Sequence, residues 1–234
     1  TGTNPSVGCV VERNGSVLSS GRTSLRGRPH AEFNELKKKI NFQNSNIYVT
    51  LEPCSHYGLT PPCTNKIIQK KIKKVVFSIF DEDLRSKHLS INEFKKKKIL
   101  VKTGVKKKYG SIFYKSYFFK KKGLLPYVDS KIALSKDYFT KNRKSKWITN
   151  QYSRKRAHLL RSKYDCILST SKSINEDNSE LDCRIEGLEK KSPSVAIIDR
   201  KLKLKKKLKL FKKNDHRKIY LFTSSFDRSK ENYF

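Results

Sequence analysis

His30-Ala31-Glu32, followed by Pro53-Cys54 and then Cys63, places an imidazole, a carboxylate and two thiols in the order a hydrolytic zinc site needs. A catalytic zinc takes three protein ligands and leaves a fourth position to water, whose pKa it lowers from about 16 to roughly 7. His30, Cys54 and Cys63 are therefore candidate metal ligands, and Glu32 is the candidate proton carrier. A closed zinc knot would need a fourth ligand, for which His56 is the nearby candidate; two free thiols and a surface histidine are the plain reading without metal. Four required residue types in this order favour the catalytic reading.

The elements around these residues must bring them together. Asn46–Thr50 reads Asn-Ile-Tyr-Val-Thr, a β-branched and aromatic run that predicts a strand delivering Cys54 just beyond its end. Pro61-Pro62 precede Cys63, and Ile67, Ile68 and Ile72 predict a helix starting there. Gly27-Arg28-Pro29 leads into His30, with Phe33, Leu36 and Ile40 marking a second helix. His30 and Glu32 diverge by about 200° inside a helix, but at its first turn both reach one metal. In hydrolytic deamination, water attacks a ring carbon bearing an exocyclic amine, and a glutamate carries the water's proton to the departing nitrogen.

Further residues extend the pattern. The stretch between the cysteines reads Cys54-Ser55-His56-Tyr57-Gly58-Leu59-Thr60-Pro61-Pro62-Cys63, and Asn4-Pro5-Ser6-Val7-Gly8-Cys9, Pro29-His30-Ala31-Glu32 and Thr50-Leu51-Glu52-Pro53 flank it. Together they resemble the bifunctional deaminase/reductase family of riboflavin biosynthesis. Cytidine and tRNA-adenosine deaminases share His-Ala-Glu but usually carry a short Pro-Cys-x-x-Cys, so the long insert discriminates. Leu124–Asp137, Ser145–Thr149, His158–Arg161 and Asp165–Arg184 are similar to that family's reductase domain.

The resemblance implies a cytidine-deaminase-like three-layer α/β/α domain over residues 1–122, then a dihydrofolate-reductase-like α/β domain over 123–234, with Gly123–Pro126 as the boundary. It implies Zn2+ and NADPH as cofactors. The deaminase hydrolyses the amine of 2,5-diamino-6-hydroxy-4-(5-phosphoribosylamino)pyrimidine, and the reductase converts the ribosyl group to ribityl. By position, His30, Cys54 and Cys63 bind zinc, Glu32 is the proton carrier, and Asn4 and His56 lie near the pyrimidine. In the reductase, Ala133, Trp147, Ser173 and Asp177 contact NADPH, while Lys131, Ser145, Arg161, Leu181 and Arg184 contact substrate. A homodimer through the reductase part is implied as well.

Several positions depart from the family. Leu59 stands where Lys or Arg is common, Asp81-Glu82-Asp83-Leu84 replaces Asp-x-Asn-Pro, and Arg200 replaces a small residue. Tyr138 fills a glycine position, where positive φ is cheap for glycine and unfavourable for tyrosine. Asp177-Asn178-Ser179 stands where Asp-Asp-Pro or Asp-Asn-Pro is usual. The chain begins at Thr1 inside the family's first motif and ends at Phe234, before its glycine-containing phosphate loop. Deamination without efficient reduction is the resulting expectation, because the reductase half is incomplete; truncation at both ends is the simplest account of these bounds.

The net charge of +33 would suit phosphate backbones, and a nucleic-acid base deaminase using that surface is the rival enzyme reading. A decayed, non-catalytic homologue is the rival from another class. The basic residues divide into 41 Lys and 13 Arg, however, which fits a solvated surface rather than base reading, while four Ala beside abundant Lys, Asn and Ile suit a genome biased toward A and T. No specific nucleic-acid partner is expected, and the Leu/Lys alternation over 202–210 reads as an elaborated loop in preference to a surface strand or a membrane-touching segment. No apolar run approaches the ~18 residues of a membrane span. Cys9, Cys166 and Cys183 read as reduced thiols, which points to a cytoplasmic setting.

Elements alternate along the chain. A hairpin turns at Asn14-Gly15, strands are expected at 74–79 and 99–105, and one helix at 108–119 closes the first domain. Beyond it, strands are expected at 127–133, 165–170, 195–198 and 218–222, with a helix at 152–163. The βαβ rhythm predicts an α/β sandwich with a largely parallel sheet.

Overall fold

The computed structural model describes residues 4–140, 147–212 and 217–225. They divide into two compact units, Thr1–Asp129 and Ser130–Phe234.

The first unit is built on a five-stranded sheet in the order β2-β1-β3-β4-β5. Strands β1 (Gly8–Arg13) and β2 (Ser16–Arg22) form the expected hairpin. Its turn residues Asn14 and Gly15 both take positive φ, 53° and 81°, which matches the twist of a two-residue hairpin. β1 also pairs antiparallel with β3 (Asn46–Leu51), and β3, β4 (Lys74–Ile79) and β5 (Leu100–Thr103) run parallel. The sheet is thus evenly mixed, because the hairpin adds two antiparallel pairings to the parallel half. Val75, Val76 and Phe77 are consecutive and all buried, so β4 is covered on both faces as the middle layer of a sandwich requires.

Helices α1 (Ala31–Leu36), α2 (Cys63–Gln69) and α3 (Leu89–Lys96) adjoin one another in series and reach the sheet at β1, β2 and β5. α1 stops at Leu36, and Ile40, expected on its apolar stripe, is 37% exposed. The single helix expected at 108–119 is two, α4 (Lys107–Phe113) and α5 (Lys115–Lys121), broken at Tyr114. The break turns Tyr114 fully inward, where its hydroxyl donates to Ser6 O at 2.9 Å and meets Thr50 Oγ1 at 2.6 Å. Thr50 Oγ1 in turn accepts from Gly8 N, so the Tyr114 hydroxyl accepts the Thr50 proton. This relay anchors the Asn4-Pro5-Ser6 segment.

The second unit holds a parallel three-stranded sheet, β6 (Cys166–Thr170), β7 (Ser194–Ile198) and β8 (Ile219–Phe222), in that order. Helices α6 (Gln151–Arg161), α7 (Ser171–Asp177) and α8 (Lys209–Lys212) accompany it. Asn150 and Thr170 cap α6 and α7, each accepting a first-turn N–H.

One expectation is corrected here, and two others gain structural detail. Residues 127–133 form no strand: the segment is irregular, with Val128 78% and Ile132 67% exposed, and among the described residues the second sheet holds β6, β7 and β8 alone. The Leu/Lys run is irregular backbone leading into α8, a loop as expected, but its leucine side is buried. Leu202, Leu204, Leu208 and Leu210 are all buried, the last three packing with Ile174, Val195 and Ile197 while the lysines face out. Asp199, Asn175 and Asn178 hold that backbone by accepting from Lys203 N, Leu204 N, Lys205 N and Lys209 N. Tyr138 does adopt the left-handed conformation, with φ of 64°, while staying 81% exposed; that geometry disfavours a side chain by about 1 kcal/mol. Among the described residues, no helix is long and apolar enough to cross a membrane.

Candidate zinc-binding active site

β3 ends at Leu51, and Glu52 continues the pairing by donating its N–H to Ile79 O, so Pro53 and Cys54 leave from the carboxyl edge of the sheet. His30 is the N-cap residue of α1, and Cys63 is the first residue of α2, with Pro62 before it. A strand end and two helix starts therefore converge. Thr64 N donates to Cys54 O and Cys63 N to Cys54 Sγ at 3.3 Å, locking the two cysteines together across their insert.

His30 Nδ1 lies 3.6 Å from Cys54 Sγ and 3.5 Å from Cys63 Sγ, and the three donor atoms fall within 4.8 Å of one another. A tetrahedral zinc with Zn–S near 2.3 Å and Zn–N near 2.1 Å separates such donors by about 3.6 Å. One imidazole and two sulfurs at that spacing fit zinc, with a fourth position left over.

The electrostatics are set by burial and by the sulfurs. Cys54 is brought down to about 4, chiefly by the hydrogen bond from Cys63 and then by His30. Cys63 is pushed up by that same hydrogen bond and by its burial. His30 is raised because it bonds Cys54. Glu32 is 3% exposed and raised to about 7, first by burial and next by the charge of Cys54. Its Oε2 is buried without a hydrogen-bond partner, an unsatisfied acceptor that natural interiors rarely leave without purpose.

Around this centre, Asn4 Nδ2 donates to Gly27 O at 3.0 Å, on the segment leading to His30. His56 pairs with Ser86 Oγ at 2.7 Å, so it is committed to the loop after β4. That loop, which departs from the family, is well knit. Asp83 accepts from Arg85 and from Lys121 Nζ, and Tyr117 donates to Asp81. Glu52, quoted above only as part of a motif, accepts from Ser90 Oγ, His88 N and Asp81 N. A carboxylate closing an otherwise apolar strand was the sequence signal for it.

In the second unit the structure groups some expected residues and not others. Arg161 Nη1 donates to Asp182 O at 2.9 Å, and Arg184 Nε lies 3.4 Å from Asp182 Oδ1. Leu181, beside them, has φ of 54°, and His158 bridges the pair, its Nδ1 accepting from Arg184 N and its Nε2 3.3 Å from Arg184 Nη2. His158 was not singled out from sequence. Ser173 and Asp177 sit on α7 and are exposed. Trp147 is exposed beneath the Arg154 guanidinium, 4.7 Å from its ring centre. Lys131 and Ala133 lie on the irregular segment, and Ser145 falls outside the described residues.

Residues 1–79 match the cytidine and deoxycytidylate deaminase zinc-binding region, and residues 126–234 match the RibD C-terminal domain. The class is therefore a zinc-binding deaminase fold followed by a reductase-type domain on one polypeptide. Riboflavin biosynthesis protein RibD of Buchnera aphidicola subsp. Baizongia pistaciae is 35% identical over 187 residues, 79% of this chain and 50% of the relative. RibD of Aquifex aeolicus is 33% identical over 204 residues, 86% of this chain and 57% of its own. Among solved structures, a diaminohydroxyphosphoribosylaminopyrimidine deaminase/5-amino-6-(5-phosphoribosylamino)uracil reductase from Thermotoga maritima aligns with a TM-score of 0.86 at 31% identity, covering 97% of this chain and 65% of that one. The chain belongs to the RibD family of riboflavin-biosynthesis proteins. It spans about half the length of the curated relatives it matches.

Proposed function

We propose that the first unit hydrolytically deaminates 2,5-diamino-6-hydroxy-4-(5-phosphoribosylamino)pyrimidine in riboflavin biosynthesis, with Zn2+ held by His30, Cys54 and Cys63. The observation that carries this reading is Glu32, buried and unsatisfied beside the His30–Cys54–Cys63 cluster. Zinc bound there would supply Lewis acidity that makes water a nucleophile near neutral pH. Cys54 and Cys63 would bind as thiolates, and His30 through Nδ1. Glu32, raised to about 7 by burial, is matched to both halves of a proton relay at neutrality. It would carry one proton of the attacking water to the ring nitrogen and then the remaining hydroxyl proton to the departing amine. The C–N bond breaks, ammonia leaves and a ring carbonyl remains. Asn4 and His56 flank the ring.

The second unit belongs to the NADPH-dependent reductase step, with Ala133, Trp147, Ser173 and Asp177 toward the cofactor. By their family positions, Lys131, Ser145, Arg161, Leu181 and Arg184 would contact the substrate. The Arg161–Arg184 pair around Asp182 supports an anion site through the forked donors of arginine.

The test is to load the chain with zinc and incubate it with the phosphoribosyl-pyrimidine, with and without NADPH, identifying products. One zinc per chain and stoichiometric ammonia are expected. Ribityl product that depends on NADPH supports the second half of the proposal. Ammonia released from RNA and not from the pyrimidine overturns the first half.

A further inference from the structure

Arg28 stands two residues before His30, so their Cα atoms are at most about 7 Å apart. Its side chain does not turn toward solvent. Nη1 donates to Thr60 Oγ1 at 3.0 Å, and Nη2 lies 3.5 Å from the point a Cβ on Gly58 would occupy. Gly58 and Thr60 flank Leu59, which is 88% exposed and brings no charge to this rim. The guanidinium is thus laid along the insert between the two cysteines.

Arg28 is half-buried, and among the described residues no carboxylate pairs with it. Glu35 pairs with Lys38, and Glu32 is buried at the proton-relay position with its Oε2 unsatisfied. A cation withdrawn from water without an acid is unfavourable unless an anion completes it. Guanidinium offers five donors in a fork, and Thr60 takes one, which leaves an edge free for a bidentate oxyanion. Gly58 adjoins this edge, a Cβ there falling at ordinary contact distance, 3.5 Å, from Nη2.

We propose that Arg28 binds the phosphate of the deaminase substrate at the rim of the zinc site. The inference rests on the reading of the first unit as a deaminase of a phosphorylated pyrimidine, and it assigns the group that selects for the phosphate. Arg28 fixes the tail while the ring lies over Glu32. It is a specificity residue rather than a member of the proton relay.

The test compares the zinc-loaded chain with Arg28→Gln, Arg28→Lys and the double variant Arg28→Gln/Leu59→Lys. Substrates are the phosphorylated pyrimidine and its dephosphorylated form. Arg28→Gln should raise KM for the phosphorylated compound tenfold or more, move kcat far less, and leave KM for the dephosphorylated compound unchanged. Arg28→Lys should lose part of the phosphate preference, because an ammonium lacks the fork. The double variant should recover part of it by placing a cation on the adjoining rim residue. Equal effects on both substrates, or none, overturn the proposal.

A second arm, independent of turnover, titrates ribose 5-phosphate and ribose into the zinc-loaded proteins. Wild type should bind the phosphate form more tightly and Arg28→Gln should not; identical discrimination in the two overturns the role of Arg28. A wild type that binds ribose 5-phosphate through Arg28 yet releases no ammonia refutes the deaminase reading and retains the anion site. Zinc content and far-UV circular dichroism identify a variant that fails to fold, in which case Arg28→Lys carries the comparison.

Discussion

Glu52 accepts a 2.6 Å hydrogen bond from the hydroxyl of Ser90, 38 residues further along the chain. That contact joins the end of β3, which delivers Cys54, to the first turn of α3. With His88 N and Asp81 N also donating, one buried carboxylate satisfies three donors. Glu52→Ala is expected to destabilise the chain by about 2–4 kcal/mol, since those donors lose their partner in the interior. Urea unfolding measures this. A loss under about 0.5 kcal/mol removes Glu52 from its positioning role.

Glu32 offers the sharpest catalytic test. Glu32→Gln retains the shape and polarity of the side chain and removes its ability to carry a proton. Zinc content should stay at the wild-type level while ammonia release falls by about 10²–10⁴-fold, the range of a positioned acid–base group. Metal analysis beside an ammonia assay decides it, and undiminished turnover takes Glu32 out of the mechanism.

Asp83 gives a pH signature. Arg85 first, and Lys121 next, hold its carboxyl below the ordinary carboxylate range. The unfolded state then takes up its proton at a higher pH, near 3.9, than the folded state does. The stabilisation is fully present above that value and disappears as pH falls through the lowered folded value. Asp83→Asn should therefore cost about 1–2 kcal/mol at pH 7, and wild type and variant should converge in strong acid. A stability gap that is the same at pH 7 and pH 2 contradicts this account.

The leucines of the 202–210 run are core residues, so truncating one should behave as a cavity mutation. Leu210 is 1% exposed, and Leu210→Ala should lose about 2–5 kcal/mol. Lys205→Ala, on the exposed side of the same run, should stay within about 0.5 kcal/mol. Paired thermal melts check the contrast, and two equal shifts would return the segment to the surface.

Local patterns carry far in this chain. The hairpin at Asn14-Gly15, the strands at 46–51 and 74–79 and the helix opening at Cys63 were legible because strand alternation, turn chemistry and a proline before a helix act over a few residues. The zinc donor set was legible for a related reason: metal chemistry restricts the ligand types, and their order survives in the linear text. What no local pattern encodes is pairing. The stretch 127–133 has strand composition yet pairs with no strand among the described residues. The 202–210 stretch has an alternation whose inward side becomes known only when Ile174, Val195 and Ile197 are placed against it.

The residues themselves, then, determined which chemistry is available here: an imidazole, two thiols and a carboxylate in a fixed order. Tertiary structure alone decided that Glu32 is dry and unsatisfied, that Glu52 holds Ser90, and that Arg28 reaches Thr60 across 32 residues of chain. The physical reason is that desolvation and charge pairing depend on distance in space. Distances between residues far apart in sequence are set by the packing of the whole sheet, which no window of the sequence contains.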